Sequence, residues 1–259
     1  MRLTVLGGSA ACPNPGQGSS SYLLEVNGKR WLLDCGPDTL SELRKHVELD
    51  QIDQILISHV HADHTLDLIP YRYGLKYAPG IERVCIPLGM PPDGTDFLRR
   101  VSTAFAAGAE PADTFFSEHF EVTEYDPDQP LTLDDATVRF FRTNHPVPCW
   151  AMRIESDEGT LVYLADTGPQ DDLVHIARDA DILICEGTML DAVGVENMIE
   201  RPHISAEEAG RIARDSGAGI FVLTHLWWTI GFERYLESAH REYPGDIVLA
   251  APGVQVSVG

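Results

Sequence analysis

One short segment of the chain carries four side chains that can ligate a metal ion. His59, His61, Asp63 and His64 follow the apolar run 55–57. Side chains alternate in direction along an extended segment, so His59 and His61 point the same way, and a turn after them directs Asp63 and His64 towards a neighbouring position. Neutral imidazole and carboxylate are typical metal ligands. The spacing therefore predicts that this segment supplies ligands to two adjacent metal ions.

Three further strand-like runs each lead into a residue of ligand type. The runs are 138–141, 161–164 and 220–223, and the residues that follow them are His145, Asp166 and His225. Catalytic groups collect where strands of a rigid scaffold end, so we expect these residues at the same edge as the 59–64 segment. A single histidine after a strand is more often a hydrogen-bonded surface or core residue. The prediction for these three therefore depends on the 59–64 segment.

The pattern of motifs resembles the metallo-β-lactamase-fold hydrolases over nearly the whole chain. Besides the 59–64 segment and His145, the matching motifs are Leu3-Thr4-Val5-Leu6-Gly7, Leu33-Asp34-Cys35-Gly36, Tyr163-Leu164-Ala165-Asp166-Thr167-Gly168 and Leu223-Thr224-His225-Leu226. Two other motifs resemble the RNase Z-like phosphodiesterase branch: Cys185-Glu186-Gly187-Thr188 and His203-Ile204-Ser205-Ala206-Glu207-Glu208-Ala209-Gly210. The resemblance implies an α/β fold, a four-layered αββα sandwich in which each sheet buries one face on the other.

The same resemblance implies a ligand set for two divalent metal ions. His59, His61 and His145 would hold one ion, Asp63, His64 and His225 would hold the second, and Asp166 would bridge them. Five imidazoles and two carboxylates suit zinc, and the shared oxygen ligand leaves manganese or iron open. Two such cations lower the pKa of a bridging water and draw off negative charge during attack, which predicts hydrolysis. Asp63, expected near the start of a helix, would also orient the attacking hydroxide.

Three more residues receive supporting roles. By resemblance, His203 would touch the phosphate or protonate the leaving oxygen, with Glu186 holding its ring in the useful tautomer. The alternative for His203 is a hydrogen-bonded loop histidine beside Pro202. Asp34 is expected to accept a hydrogen bond from a ligand histidine, and a turn or helix-capping role is the alternative.

The charge of the chain bears on its substrate. Forty acidic and 19 basic side chains give a formal net charge of −21. Binding of long nucleic acids draws on clustered Lys and Arg, which the sequence lacks, although Arg72, Lys76 and Arg201 could serve one small anion. The interval between His145 and Asp166 is also too short for the inserted arm with which tRNA-processing relatives grip tRNA. We therefore expect a small anionic phosphodiester, and Asp67-Leu68 resembles the arm-less cyclic-nucleotide phosphodiesterases.

Other functions stay open at this point. A tRNA 3′-end processing endonuclease and a lactone or thioester hydrolase would use the same seven ligands. A redox protein with two irons is a further alternative, but such proteins usually have a flavin-binding partner or domain. A non-enzymatic binding module is the last alternative, but such a module would be expected to have lost ligands, and all seven are present here. Aromatic residues of the Tyr71–Tyr125 segment, and Trp227 and Trp228, could line the site, but core packing is the more common role of such rings.

Length and composition predict one compact domain over residues 1–259, because 44% of the residues are hydrophobic and no low-complexity stretch interrupts them. The resemblance implies that this single domain is a metallo-β-lactamase-like hydrolase. No leader and no membrane-spanning run is recognised, and five scattered cysteines suit reduced thiols, so we expect a cytoplasmic protein. The cysteines are interpreted as small buried hydrophobes. Proteins of the resembling family are often homodimers, so the resemblance leaves a homodimer open. The apolar pattern of the sequence does not bear on the oligomeric state.

Local signals predict individual elements. Asn27-Gly28 between strands 21–26 and 30–33 is typical of a tight hairpin. Helices are expected over 37–46 and 171–178, and strands over 149–155 and 182–185. Ser205 and Glu208 have the spacing of a capping box, which predicts a helix that begins after Ser205.

Overall fold

Two β-sheets pack face to face in the computed structural model, which describes residues 1–81, 84–106, 108, 111–190 and 201–258. The first sheet has the order β15-β1-β3-β4-β5-β6-β7, with β2 beside β1. Strands β4 to β7 run parallel, and β1, β3 and β15 pair antiparallel. The strands of this sheet are β1 Arg2–Ser9, β2 Gly18–Ser19, β3 Ser21–Val26, β4 Lys29–Leu33, β5 Gln54–Leu56, β6 Ile86–Met90, β7 Phe120–Glu124 and β15 Gln255–Ser257.

The second sheet repeats this plan with the order β14-β13-β12-β11-β10-β9-β8. Strands β11 to β14 are parallel, and β8 to β11 form antiparallel pairs. The strands are β8 Leu131–Leu133, β9 Ala136–Arg142, β10 Trp150–Ser156, β11 Gly159–Tyr163, β12 Ile182–Glu186, β13 Ile220–Thr224 and β14 Ile247–Leu249.

Helices cover the outer face of each sheet. An apolar core between the sheets includes Leu3 and Leu24 from the first and Met152 and Ile154 from the second. Two further clusters join the outer face of each sheet to its helices. This order of helix, sheet, sheet and helix confirms the predicted αββα sandwich. The helices are α1 Thr39–Leu43, α2 Ala62–Thr65, α3 Leu68–Tyr77 and α4 Gly94–Phe105 on the first side, and α5 Leu173–Ile176, α6 Ala206–Ser216 and α7 Phe232–Ala239 on the second.

The hairpin and the capped helix form as their sequences predict. Asn27 and Gly28 have φ values of 51° and 73°, the left-handed conformation that a two-residue hairpin requires. The Ser205 side chain accepts from the Glu208 backbone, and the Glu208 side chain accepts from the Ser205 backbone, so the capping box is complete.

Two predicted helices are shorter than expected. The helix predicted over 37–46 ends at Leu43, because Lys45 and His46 bond to the carbonyls of Glu42 and Leu43, three residues back. The helix predicted over 171–178 is confined to α5, and Arg178 likewise bonds three residues back to His175. Such bonds tighten the last turn and end the α-helix. No helix within the described ranges combines the length and the apolar composition needed to span a bilayer.

The parallel halves of the two sheets set the position of the site. Parallel strands end at a common edge, and residues immediately outside such ends meet there. Strand β5 leads into the 59–64 segment, and β11 and β13 lead into Asp166 and His225. Glu186 is the last residue of β12 and pairs in register with Thr224 of β13. The topology therefore delivers side chains from both sheets to one edge of the sandwich.

Candidate metal centre

A first cluster of ligand atoms forms where β5 and β9 end. Nδ1 of His61 lies 3.1 Å from Nε2 of His59 and 3.1 Å from Nε2 of His145. Oδ2 of Asp166 lies 3.8 Å from Nε2 of His59 and 3.9 Å from Nε2 of His145. The structure thus brings together three imidazoles and one carboxylate from residues up to 107 positions apart in sequence, all within 4.8 Å of one another.

A second cluster shares Asp166. Nε2 of His64 lies 3.3 Å from Oδ1 of Asp166 and 3.6 Å from Oδ2 of Asp63. Nε2 of His225 lies 3.2 Å from Oδ2 of Asp63 and 3.5 Å from Oδ2 of Asp166. All four residues of this cluster are buried. Because Asp166 belongs to both clusters, its carboxylate lies between them.

These separations fit a tetrahedral ion. Ligand atoms about 2.1 Å from a tetrahedral metal lie about 3.4 Å from one another. The distances in the two clusters range from 3.1 to 3.9 Å and so lie on either side of that value. The donor set of five imidazole nitrogens and two carboxylates is also the chemistry that zinc accepts. The residues present therefore fit divalent cations.

Outer hydrogen bonds orient four of the imidazoles. Nδ1 of His64 donates to Asp34 at 2.7 Å, and Nδ1 of His145 donates to the carbonyl of Pro202 at 3.1 Å. Nδ1 of His59 lies 3.0 Å from the Ser58 hydroxyl, and Nδ1 of His225 lies 2.7 Å from the Thr188 hydroxyl. With the proton on Nδ1, each ring directs the lone pair of Nε2 inward, as a metal ligand requires.

The carboxylates of the second cluster favour a positive charge at Nε2 of His64. Nε2 of His64 is buried and has no hydrogen-bond partner among the described residues. Burial acts to lower the pKa of His64, but the charges of Asp166 and Asp34 outweigh it and raise that pKa well above its usual value. A buried nitrogen that favours a proton at this point is a nitrogen that a cation could occupy instead. The unpartnered nitrogen and the two nearby carboxylates therefore both favour a cation at this position.

Asp34 organises the ring of His64 from behind. Its carboxylate accepts from the Ser58 backbone and hydroxyl, each at 2.7 Å, and from the Tyr163 hydroxyl at 2.6 Å. Asp34 is fully buried and has φ 58°, in the left-handed region. Asp34 thus accepts from the candidate ligand His64, as expected, and no helix begins at Asp34.

Asp63 lies in the first turn of α2, as its sequence context predicts. Its Oδ2 accepts a 2.9 Å hydrogen bond from the backbone of Ala11, which enters from the loop after β1. Burial acts to raise the pKa of Asp63, but the hydrogen bond from His225 and the charges of His64 and His225 outweigh it and hold that pKa well below its usual value. Asp63 is therefore an anion at neutral pH.

His203 lies beside the two clusters. Its ring centroid is 5.4 Å from that of His145 and 5.2 Å from that of His225. Nδ1 of His203 donates to Oε1 of Glu186 at 2.9 Å, and 22% of its side chain is exposed. Burial acts to lower the pKa of His203, but the charge of Glu186 and this hydrogen bond outweigh it and raise the pKa to about 9. In the absence of metal, this pKa favours a protonated ring at neutral pH, and part of that ring reaches solvent.

Glu186 connects His203 to the second cluster. Its Oε2 accepts from the Thr188 hydroxyl at 2.7 Å, and that hydroxyl in turn accepts from Nδ1 of His225. Its Oε1 also accepts from the backbone of Thr167 at 2.7 Å. One carboxylate therefore orients both His203 and, through Thr188, His225.

Several contributors were not assigned from the sequence. They are the hydroxyls of Ser58, Tyr163 and Thr188, the backbone amide of Ala11 and the carbonyl of Pro202. Ser58 precedes His59 directly, and Thr188 stands two positions after Glu186, so both could have been suspected from their neighbours. Backbone groups and Tyr163 have no such signal, because only the folded chain brings them near the site.

The basic residues suggested for anion binding are already paired. Arg72 and Lys76 both lie near Glu118, at 3.4 and 2.8 Å, and Arg201 lies 2.5 Å from Glu208. The side chains of Arg72 and Arg201 are essentially buried. These ion pairs argue against Arg72 and Arg201 as anion ligands.

The packing expectation for aromatic residues and cysteines is correct only in part. Phe115 and Phe116 are buried, whereas Tyr77 and Trp228 are 65% and 54% exposed, so core packing is wrong for the latter two. Among the cysteines, three are buried, but Cys12 and Cys85 are exposed. Residues 82, 83, 107, 109 and 110 of the aromatic segment lie outside the described residues.

The chain is similar to known proteins over most of its length. The family model for the β-lactamase superfamily domain matches residues 29–226. The probable metallo-hydrolase YhfI of Bacillus subtilis is 31% identical over 256 residues, covering 98% of both chains. Its crystal structure superposes with a TM-score of 0.86, at 29% identity and 98% coverage of both chains.

Proteins named ribonuclease Z or tRNase Z also match. A ribonuclease Z of Haloferax volcanii is 26% identical over 306 residues, covering 100% of this chain and 95% of the relative. The crystal structure of the short form of human tRNase Z shares the fold, with a TM-score of 0.75 at 24% identity and full coverage of both chains.

The match covers the strands that carry the ligand atoms, and the chain has the two-sheet architecture and the histidine and aspartate clusters of a metal-dependent enzyme. Such a donor arrangement suits hydrolysis. The chain is a hydrolase of the β-lactamase superfamily, with the metallo-β-lactamase fold, related to YhfI and to the RNase Z-like proteins.

Proposed function

We propose that this protein is a dinuclear metal-dependent phosphodiesterase that hydrolyses small phosphodiesters, with cyclic nucleotides as the leading substrate class. The observation that carries the proposal is the His203–Glu186 pair beside the two ligand clusters. Acyl substrates such as lactones need a place for an acyl group more than they need a cationic proton donor. A phosphodiester, by contrast, carries a negative charge that a protonated His203 can meet, and cleavage of its P–O bond releases an alkoxide that the same ring can protonate.

The residues of the chain have separate tasks in this reaction. His203, protonated and held by Glu186, meets the substrate phosphate and gives a proton from Nε2 to the leaving oxygen. Asp63, restrained by the Ala11 amide, accepts a hydrogen bond from the attacking water and orients it. Two divalent cations held by the seven ligands would activate that water and offset the charge that develops at phosphorus.

Zinc is the first candidate for both positions. The imidazole-rich donor set supports it, and manganese or iron remain compatible with the shared carboxylate. The two clusters share Asp166, which supports a pair of ions rather than two independent ones.

The chain between His145 and Asp166 supports a small substrate. All of this interval is described, and it is occupied by the antiparallel pair of β10 and β11. The alignment with the Haloferax ribonuclease Z extends over 306 positions, so that relative carries insertions absent from the 259 residues here. A net charge of −21 would also repel a long polyanion.

The proposal is tested with a substrate panel. Purified protein is loaded with zinc or manganese and assayed on cyclic mononucleotides, linear dinucleotides, bis-p-nitrophenyl phosphate, a tRNA precursor and a lactone. We expect the highest kcat/KM on a cyclic mononucleotide and no processing of the tRNA. Faster turnover of the tRNA precursor or of the lactone than of every small phosphodiester would contradict the proposal.

A further inference from the structure

The loop that carries His203 is held by a buried ion pair outside the ligand clusters. Arg201 and Glu208 have side chains only 1% and 7% exposed, and Nη2 of Arg201 lies 2.5 Å from Oε1 of Glu208. Burying a charged pair is costly unless its geometry is good and its other polar atoms are bonded. General stability is therefore not enough to explain why a buried ion pair lies at this position, and a specific structural task is expected.

The carboxylate of Glu208 bonds to one residue before His203 in the sequence and to one residue after it. Its Oε1 meets Arg201, two residues before the histidine. Its Oε2 accepts from the backbone of Ser205 at 2.8 Å, two residues after the histidine. The short loop between these points has no regular secondary structure, so these bonds restrain it where a helix or strand does not.

The same loop is packed against the neighbouring motifs. The carbonyl of Arg201 lies so close to Gly168 that a Cβ at that position would clash with it. The carbonyl of Pro202 accepts from Nδ1 of His145, and Ile204 accepts from the backbone of Met189. The loop thus lies between the segments that follow β9, β11 and β12.

We propose that the Arg201–Glu208 ion pair is a positioning pair that places the His203 ring for proton donation to the leaving group. The inference rests on the proposed function, since it assigns a task to a residue of that same site. Both side chains are almost fully buried and paired with each other, which assigns them no contact with substrate in this scheme. They act by fixing the backbone on either side of His203, so that Nδ1 meets Glu186 and Nε2 stays available. Productive geometry tolerates displacements of about 0.5 Å, so a loosened loop would impair the step.

Glu208→Gln is the main test, and Glu207→Gln is its matched control. Glu207 is the adjacent residue of the same helical turn, and it forms a 3.0 Å ion pair with Arg241 at the surface. Both variants lose one charge and one ion pair on α6. Only the first loosens the His203 loop. Arg201→Lys is the second variant, in case Glu208→Gln fails to fold.

The kinetic readout compares leaving groups. Ring opening of a cyclic mononucleotide breaks a P–O bond and leaves a sugar alkoxide that needs a proton, whereas bis-p-nitrophenyl phosphate expels p-nitrophenolate, which needs none. We expect Glu208→Gln to lower kcat on the cyclic nucleotide by at least about tenfold, with a much smaller loss on bis-p-nitrophenyl phosphate and unchanged metal content. Equal losses on both substrates, or no loss on either, would overturn the inference.

A second readout does not depend on turnover. In protein labelled with ¹⁵N-histidine, the Nδ1 proton of His203, assigned with His203→Ala, should give a slowly exchanging signal because it bonds to Glu186. We expect Glu208→Gln and Arg201→Lys to lose or broaden that signal and Glu207→Gln to keep it. If the wild type hydrolyses no phosphodiester, the proposed function fails, and this measurement still decides whether the pair positions His203. An unchanged signal in both loop variants rejects the positioning role.

Discussion

Asp34 and His64 form a fully buried hydrogen bond, with Oδ2 of Asp34 2.7 Å from Nδ1 of His64. The two residues come from different elements, since Asp34 follows β4 and His64 lies in α2. Ser58 and Tyr163 bond to the same carboxylate, so it is held from three sides. A group that fixes a ligand imidazole in this way raises its basicity and sets its orientation.

Asp34→Asn should weaken metal binding without disturbing the backbone. Asn tolerates the left-handed φ that Asp34 adopts, but it has no charge and cannot support His64 as strongly. We expect metal affinity to fall by about 10- to 100-fold, measured by competition with a chromophoric chelator. Asp96→Asn, which removes a surface partner of Arg99, should leave the affinity unchanged. Equal affinities for Asp34→Asn and the wild type would show that Asp34 does not support the ligand.

Removal of metal should destabilise the protein. An ion that binds only the folded state at about 1,000 times its Kd adds about 4 kcal/mol to the free energy of unfolding. We therefore expect a chelator to lower Tm and abolish hydrolysis, and added zinc or manganese to restore both. His64→Ala should reduce the drop in Tm that the chelator causes, because one ligand is already lost. A Tm that does not respond to chelator would argue against resident ions.

His203→Ala should affect poor leaving groups most. Loss of a general acid typically costs about 10²- to 10⁴-fold in rate. We expect a loss in this range for kcat on a cyclic nucleotide and a markedly smaller one on bis-p-nitrophenyl phosphate, with metal content unchanged. His240→Ala, a histidine at the exposed end of α7, is the control. Loss of bound metal in His203→Ala would indicate a ligand role instead.

Thr188→Val should uncouple His225 from Glu186. Valine has nearly the same shape but lacks the hydroxyl, so Nδ1 of His225 loses its buried acceptor. Leaving such a group unpaired costs about 1–3 kcal/mol, to be measured by urea unfolding of the metal-free protein. Thr188→Ser keeps the hydroxyl and should restore most of this stability. Similar midpoints for the two variants would contradict the bridging role.

Gly210→Ala tests the contact between α6 and α7. Alanine in a helix interior is favoured over glycine by about 1 kcal/mol, which alone predicts stabilisation. A Cβ on Gly210 would, however, clash with the carbonyl of Ala239, and overpacking costs about 1–3 kcal/mol. We expect net destabilisation in urea with kcat preserved. A rise in stability would mean that the helices separate easily.

Local sequence was enough for features that depend on neighbours. The Asn27-Gly28 hairpin and the Ser205–Glu208 capping box form as predicted, because each is decided by conformations and bonds within a few residues. The lengths of α1 and α5 were overestimated, since tightening of a last turn by bonds three residues back has no clear sequence signal. Arg201 was suggested as an anion ligand, but in the folded chain it forms a buried ion pair with Glu208, a contact between side chains that the sequence does not show.

By itself, the sequence determined the kinds of candidate ligand and their order along the chain, because histidines and aspartates that follow strands have a recognisable spacing and a family resemblance. Tertiary structure alone decided how these ligands are oriented. The Asp34–His64 bond, the Ser58 and Thr188 hydroxyls and the Pro202 carbonyl set which nitrogen of each ring faces inward. These partners come from distant segments, and a hydrogen bond fixes a tautomer only when both of its atoms have been brought within about 3 Å by the packing of two sheets.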